Sequence, residues 1–313
     1  RGEAYMQEAP TLWDVDFDTA VAQAELEDRE RPGAYHTLAF HLTSGTTVDG
    51  KTDILIDTTR PELLPACVAL VAHPDDERYQ PRFGTTVRTP LFDVEVPILA
   101  HPLAQIDKGT GIAMICTFGD VTDVIWWREL QLPTRAVIGR NGRIVADAPE
   151  VITSARGVET YAQLAGKSIK QAQTLIVEML RTSEEMLGEP RAIMHPVKFF
   201  EKGERPLEIV TSRQWYIRNG GREADLRTRF VERGHELTWH PEHMRHRYEN
   251  WVEGLNGDWL ISRQRYFGVP VPLWYALNAD GTTNYDAPLV PTNEQLPIDP
   301  STDLPAGFSE SQR

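Results

Sequence analysis

The sequence predicts a mixed α/β fold: a mainly β, barrel-like domain with short helices, followed by a partial α/β segment. Three observations carry this. Short runs of strand-like residues, each closed by Gly, Pro, Asn or Asp, recur from Ala34 to Phe118. After "RNGRIVADAPE" the apolar period lengthens, and "SIKQAQTLIVEMLRTSEEMLG" sets Ile169, Ala172, Leu175, Ile176, Met179 and Leu180 in one stripe. The 313 residues are enough for two domains, or for one and part of another.

Taken in order, residues 1–18 are mixed and show no clear period, and "TAVAQAELEDRE" fits helix by composition and strand by alternation. "AYHTLAFHL" alternates and stops at the turn residues "TSGTTVDGKT". "DILIDTT" is a strand stopped by Pro61, and "ACVALVA" a second, stopped by "HPDDERYQP". "TTVRTPLFDVEVPILA" reads as strand, turn, strand, with Pro90 and Pro97 suggesting edges or bends. "GIAMICTF" is a further strand, and a helix starts near Val121. Ser168 suits an N-cap and Gly188 a helix stop. "READLRTRFVERG" is a shorter helix, and the segment through "VPLWY" ends in a turn and an apolar strand. The tail from Asn278 predicts long loops, with disorder at its very end.

A hydrophobic fraction of 41% and a charged fraction of 25% are ordinary for a globular chain. No apolar run approaches the roughly 18 residues that span a bilayer, and no secretory pattern is present. Neither end carries a natural start or stop signal, so the chain reads as a piece of something longer. A net charge of −14 argues against wholesale attraction to nucleic acid. Arg213, Arg218, Arg222, Arg227, Arg229, Arg233, Arg245, Arg247, Arg263 and Arg265 nevertheless concentrate in one stretch. Composition favours a solvated face over a local nucleic-acid contact. Cys67 and Cys116 sit in apolar runs and read as buried small hydrophobes of a reducing compartment, rather than as a disulfide or a zinc site.

Two stretches carry chemistry. In "DTTRPELLPA", Thr58 and Thr59 close a strand, so their hydroxyls can face a polar ligand, with Arg60 offering a cation; strands also favour threonine for packing alone. In "KGTGIAMICTFGDVTD", the glycines allow close backbone approach. Asp120 suits an N-cap, and Asp123 falls in the first turn, where the helix dipole favours an anion. Capping explains one aspartate well; a second carboxylate beside it suits a cationic ligand such as an α-ammonium group. "WHPEHMRHR" spaces His240, His243 and His246 three apart, which spreads them over about 120° of a helix. Solvated or hydrogen-bonded histidines are the better reading, and no metal is expected.

These stretches, with "TSRQWYI" and "NWVEGLNGDWLISRQRYFGVPVPLWY", resemble in order the middle of the class I aminoacyl-tRNA synthetases, within them the bacterial valyl branch. Leucyl members carry TTRPDT and isoleucyl members TTTPWT, so "TTRPE" favours the valyl branch. The resemblance implies lead-in strands over 1–38, an inserted editing domain over 39–193, and an incomplete return into the nucleotide-binding catalytic domain over 194–313. It implies hydrolysis of the ester in mischarged threonyl-tRNA(Val). A hydrophobic pocket discriminates weakly against an isostere with an added hydroxyl, and threonine against valine is the known instance of this limit. Asp123 takes the position that holds the substrate's α-ammonium, and Asp120 the neighbouring acid. Thr58, Thr59 and Arg60 line the pocket. Trp259, Ser262, Arg263 and Gln264 match a catalytic-domain block near the synthetic site.

The resemblance implies no cofactor for editing, and ATP and Mg for aminoacylation in the full-length enzyme only; the HIGH and KMSKS signatures that bind ATP are absent here. The implied partner is the 3′ end of tRNA(Val) carrying a misattached amino acid, met by a cytoplasmic monomer away from any membrane. The chain departs from the family at Leu63 and Met114, where threonine and lysine are usual. It departs again at Cys116, where threonine is usual, and at Thr117–Phe118–Gly119, in place of Pro-Ala-His. Lys108, Thr110, Thr117 and His73 are candidate substitutes. Isoleucyl or leucyl editing, and a tRNA-binding structural module with a weakened hydrolytic site, remain alternatives.

Overall fold

The computed structural model describes residues 2–47, 49–265, 268 and 270–309. The last four residues, at the end of the tail, and Tyr266 and Phe267 of the "DWLISRQRYFG" block lie outside the described residues. The chain divides into two compact units, 1–261 and 262–313.

The first unit contains strands β1 (Ala4–Asp14), β2 (Thr19–Ala20), β3 (Leu26–Leu42), β4 (Asp53–Thr58), β5 (Cys67–Ala72), β6 (Thr86–Arg88), β7 (Glu95–Ala100) and β8 (Ile112–Cys116). Helices α1 (Val121–Glu129), α2 (Ala155–Leu164) and α3 (Ile169–Thr182) follow. Then come β9 (Met186–Phe200), β10 (Glu208–Ile217), α4 (Ala224–His235), α5 (Met244–Glu253) and β11 (Trp259–Leu260). The second unit holds a hairpin of β12 (Trp274–Leu277) and β13 (Thr283–Leu289), where Tyr275 and Tyr285 meet edge to face at 5.2 Å.

The fold is mixed α/β, as the sequence predicts. A seven-stranded sheet runs β4-β3-β6-β7-β5-β8, with β9 also on β3, and a four-stranded sheet runs β11-β10-β1-β2. The end strands β4 and β8 lie against each other, but no ladder among the described residues joins them, so the barrel is not closed. Leu38, Phe40, Ile54, Ile56, Leu70 and Val96 fill the interior, capped by the Ala172, Ile176 and Leu180 stripe of α3. That stripe is the one read from the sequence.

β3 and β9 form a long antiparallel ribbon from Leu26↔Phe200 to Tyr35↔Arg191, then shift register before Thr37↔Leu187. Residues 38–39 and 193–194 both fall inside these strands.

Three local readings differ from the structure. Residues 4–14, without a clear period, form β1, which is held by ten consecutive pairings to β10 rather than by its own alternation. Gly188 does not stop α3. The helix ends at Thr182, Glu184 takes a left-handed turn (φ 62°), and Gly188 lies inside β9. The tail expected to be loops contributes β13. Pro97, by contrast, meets the edge-or-bend reading: it pairs only with Thr86 of β6, and pairing of β7 with β5 begins at Ile98, so the missing N–H costs no ladder bond to β5.

Candidate active site at the head of helix α1

Thr117, Phe118 and Gly119 turn the chain from β8 into α1. Asp120 is extended, and its Oδ1 accepts from the backbone N–H of Thr122 at 2.7 Å and of Asp123 at 3.0 Å. In return, Asp123 Oδ2 accepts from the N–H of Gly119 at 2.9 Å and of Asp120 at 3.2 Å. The two aspartates thus form a capping box, and both have an architectural duty where the sequence assigns one to Asp120 alone. Glycine is required at 119 by contact: a Cβ there would stand 2.6 Å from Asp123 Oδ2.

Asp123 is 7% exposed. Burial, and then the adjacent Asp120 charge, push its carboxyl well above the ordinary carboxylate range, against the pull of the Gly119 and Asp120 N–H groups. No described residue donates a hydrogen bond to Asp123 Oδ1. The site therefore holds a buried acid with one oxygen fixed and one unfilled.

Arg60 reaches this corner from the end of β4. Its Nε donates to Glu62 Oε1 at 2.9 Å, its Nη2 to Glu208 Oε2 at 2.8 Å and its Nη1 to the Gly119 carbonyl at 3.3 Å. Burial works against the guanidinium's charge, but Glu208 and Glu62 more than offset it and raise its pKa. Its cation is committed to the protein, where the sequence offers it to a ligand. Thr58 Oγ1 accepts from the Arg60 N–H at 3.0 Å, and the Thr59 carbonyl accepts from Gln173 Nε2 of α3 at 3.1 Å. The threonine-rich strand end and the aspartates are thus tied together through Arg60.

Most of the other candidates lie farther from the aspartates, although Lys108 and Thr110 flank Gly109, where a Cβ would stand 3.1 Å from Asp57 Cβ, beside Thr58. β5 and β8 pair from Cys67↔Cys116 to Ala72↔Ile112. His73, Lys108 and Thr110 lie at the Ala72 end, with His73 and Lys108 lining an open recess. Thr110 Oγ1 donates to the Ile112 carbonyl at 3.3 Å. The aspartates lie beyond the opposite end of β8. Thr117 is close to them but buried, its hydroxyl accepting from the Arg135 N–H at 2.7 Å. Leu63, Met114 and Cys116 are buried and apolar where the family pattern is polar. Cys67 and Cys116 are free thiols on facing residues, and burial pushes the Cys116 thiol well up. His235 and His246 flank Glu249 at 2.7 and 3.2 Å, and no cluster of three metal-ligating side chains stands among the described residues. Trp259 is exposed at β11, and Arg263 Nη1 donates to the Ser262 carbonyl at 2.9 Å in the second unit.

Sequence reasoning missed three residues of this corner. Glu62 and Gly119 could have been found by asking what neutralises Arg60 and what Asp123 touches. Glu208 lies 148 positions from Arg60, and no local signal marks it.

The family model for class I tRNA synthetases (I, L, M and V) matches residues 1–288. A valine–tRNA ligase of Thermobifida fusca (strain YX) is 68% identical over all 313 residues, which cover 35% of that protein. Valine–tRNA ligases of Leifsonia xyli subsp. xyli (strain CTCB07) and Cutibacterium acnes (strain DSM 16379 / KPA171202) are 64% and 63% identical over the whole chain, covering 36% and 35% of their lengths. The chain spans about a third of the length of these curated relatives. The ordered motifs, the β-rich domain and the family match agree: this chain belongs to the class I tRNA synthetases of the isoleucine, leucine, methionine and valine group.

Proposed function

We propose that the chain is part of an enzyme that attaches valine to tRNA(Val), and that its β domain, over 39–193, hydrolyses the ester of mischarged threonyl-tRNA(Val). The observation that carries this reading is Asp123: a buried carboxyl group, held by two N–H groups through Oδ2, with Oδ1 unfilled and no cation of its own. An amino acid in ester linkage presents a cationic amine and no free carboxylate. Its ammonium placed at Oδ1 supplies the missing positive charge, and a proton held by Asp123 passes to solvent as the pair forms. The ester carbonyl is then fixed for attack by water, and the ribose hydroxyl leaves. An ester is reactive enough that we assign no general base.

Segment 194–313 returns towards the catalytic domain. ATP and magnesium belong to the attachment step, through motifs this chain does not contain. The protein acts in the cytoplasm as a monomer, on the 3′ end of tRNA.

A second reading is favoured by a specific observation. Leu63, Met114 and Cys116 are buried in the apolar core, and Arg60 is held by Glu62 and Glu208, as expected of a tRNA-binding module whose hydrolytic site has weakened. Asp123→Asn in the full-length enzyme separates the two. It keeps the acceptor for Gly119 and Asp120 but removes the charge. The hydrolytic reading expects deacylation of threonyl-tRNA(Val) to fall by about 10–100-fold, the worth of a charged hydrogen bond. Equal rates in the variant and the parent would favour the weakened module.

A further inference from the structure

Arg60 connects the two sheets of the first unit. It follows β4 of the seven-stranded sheet, whereas Glu208 opens β10 of the four-stranded sheet and is paired in register with the buried Trp13. We propose that Glu208 is a positioning residue for ester hydrolysis: it holds the Arg60 guanidinium, which holds the Gly119 carbonyl and thereby Asp123. This inference rests on the hydrolytic reading above.

The chain of contacts is short. Glu208 Oε2 accepts from Arg60 Nη2 at 2.8 Å, and Arg60 Nη1 donates to the Gly119 carbonyl at 3.3 Å. The N–H of the same Gly119 donates to Asp123 Oδ2 at 2.9 Å. Gly119 has no slack, since even a Cβ would meet Asp123 Oδ2 at 2.6 Å and Leu63 Cδ1 at 3.2 Å. Glu62 alone is a weak anchor for the guanidinium. Its Oε2 is buried without a partner, and burial favours its neutral form. Glu208 brings a second carboxylate from a strand fixed by a separate ladder, so the guanidinium is held from two directions. Arg60 keeps its side chain 26% exposed but has every nitrogen engaged, which suits a brace better than a ligand contact.

The test uses the full-length protein, pre-formed threonyl-tRNA(Val), and Glu208→Gln, Glu208→Asp and Asp123→Asn. Glu208→Gln is expected to lower kcat for deacylation about tenfold with KM within about twofold, as for a displaced reacting group rather than a lost binding contact. Glu208→Asp is expected to recover most of that rate. Hydrogen exchange is expected to quicken over residues 119–123 in Glu208→Gln and to return towards the parent in Glu208→Asp. Arg60→Lys keeps the charge but cannot span both carboxylates and the carbonyl, so it gives the same kcat loss even if Glu208→Gln does not fold. Parental kcat and exchange in Glu208→Gln, with Asp123→Asn slowed as expected above, would overturn the role of Glu208 and leave the hydrolytic reading standing. Quickened exchange throughout β1 and β10, with no rescue by aspartate, would reduce Glu208 to a structural residue and overturn it too. A parent protein without deacylation would sink the hydrolytic reading first, and this inference with it.

Discussion

Asp123 and Glu185 are both buried acids, 7% and 5% exposed, yet burial leads them to opposite states. Glu185 is surrounded by donors. Arg156 pairs with both its oxygens, Ser183 Oγ donates at 2.6 Å, His41 Nε2 lies at 3.3 Å, and the Leu91 N–H points at it from 3.3 Å. Burial raises its pKa, but Arg156, Ser183 and His41 outweigh burial and hold the carboxyl below its usual range. Asp123 has two backbone N–H groups, an acid for a neighbour and no cation, so burial wins and the carboxyl is raised. The partners, not the depth, decide the charge. A buried acid whose shell includes a cation stays ionised; one without a cation favours its proton.

If Glu185 is architectural, its removal destabilises the first unit. Glu185→Ala removes the hub that joins the end of α3 to α2, β3 and the turn at Leu91, and leaves that N–H unpaired. It is expected to cost about 3 kcal/mol, the low end for a broken buried pair because Arg156 is partly solvated. Thermal unfolding would show this as a lowered midpoint. A loss within about 0.5 kcal/mol would mean that the shell around Glu185 is decoration.

The next test is the opposite sign of the two pH dependences. Glu185 has a depressed folded pKa, so its contribution is present above the unfolded carboxylate value and is lost as pH falls through the folded one. Asp123 has a raised folded pKa, so the folded state binds its proton more tightly. Its contribution is full below the unfolded value and is lost as pH rises through the folded one. Asp123→Asn should therefore be more stable than the parent by a margin that widens as pH rises, while deacylation stays low. Melting curves of both proteins at several pH values measure the margin. A margin independent of pH would show that Asp123 is ionised in the folded protein without help, and the contrast with Glu185 would disappear.

What was legible in the sequence follows the same division between local and distant causes. The N-cap at Asp120, the start of α1, the Ser168 cap and the α3 stripe were readable because their causes lie within a few residues. The end of α3 was not readable at Gly188, because Glu184 and the Glu185 shell, assembled from β3, α2 and Leu91, end it earlier. β1 was hidden because its partner lies some 200 residues away. At the candidate site, Asp120, Asp123 and Thr58 could be named from motif and spacing. Glu208 is brought to Arg60 only by the meeting of two sheets, and Lys108 and Thr110 are close to the aspartates in sequence order but sit across the length of β8.

The helix caps contribute less, and they distinguish a helix start from a charge site. α1 and α3 both start with a capping box, Asp120 with Asp123 and Ser168 with Gln171. Ser168 Oγ accepts from the Gln171 N–H at 3.4 Å in an exposed position, so Ser168→Ala is expected to cost about 0.5–1 kcal/mol and to leave deacylation at the parental rate. Asp120→Ala removes an acceptor of two N–H groups and is expected to cost about 1 kcal/mol. It also removes the like charge beside Asp123, which should let that carboxyl ionise more readily while its N–H anchor loosens. If capping is all that Asp120 and Asp123 do, the two alanine variants should match in stability and neither should change deacylation. A deacylation rate that changes in Asp120→Ala alone, at equal loss of stability, would separate the box that only starts a helix from the box that also holds a charge for a ligand.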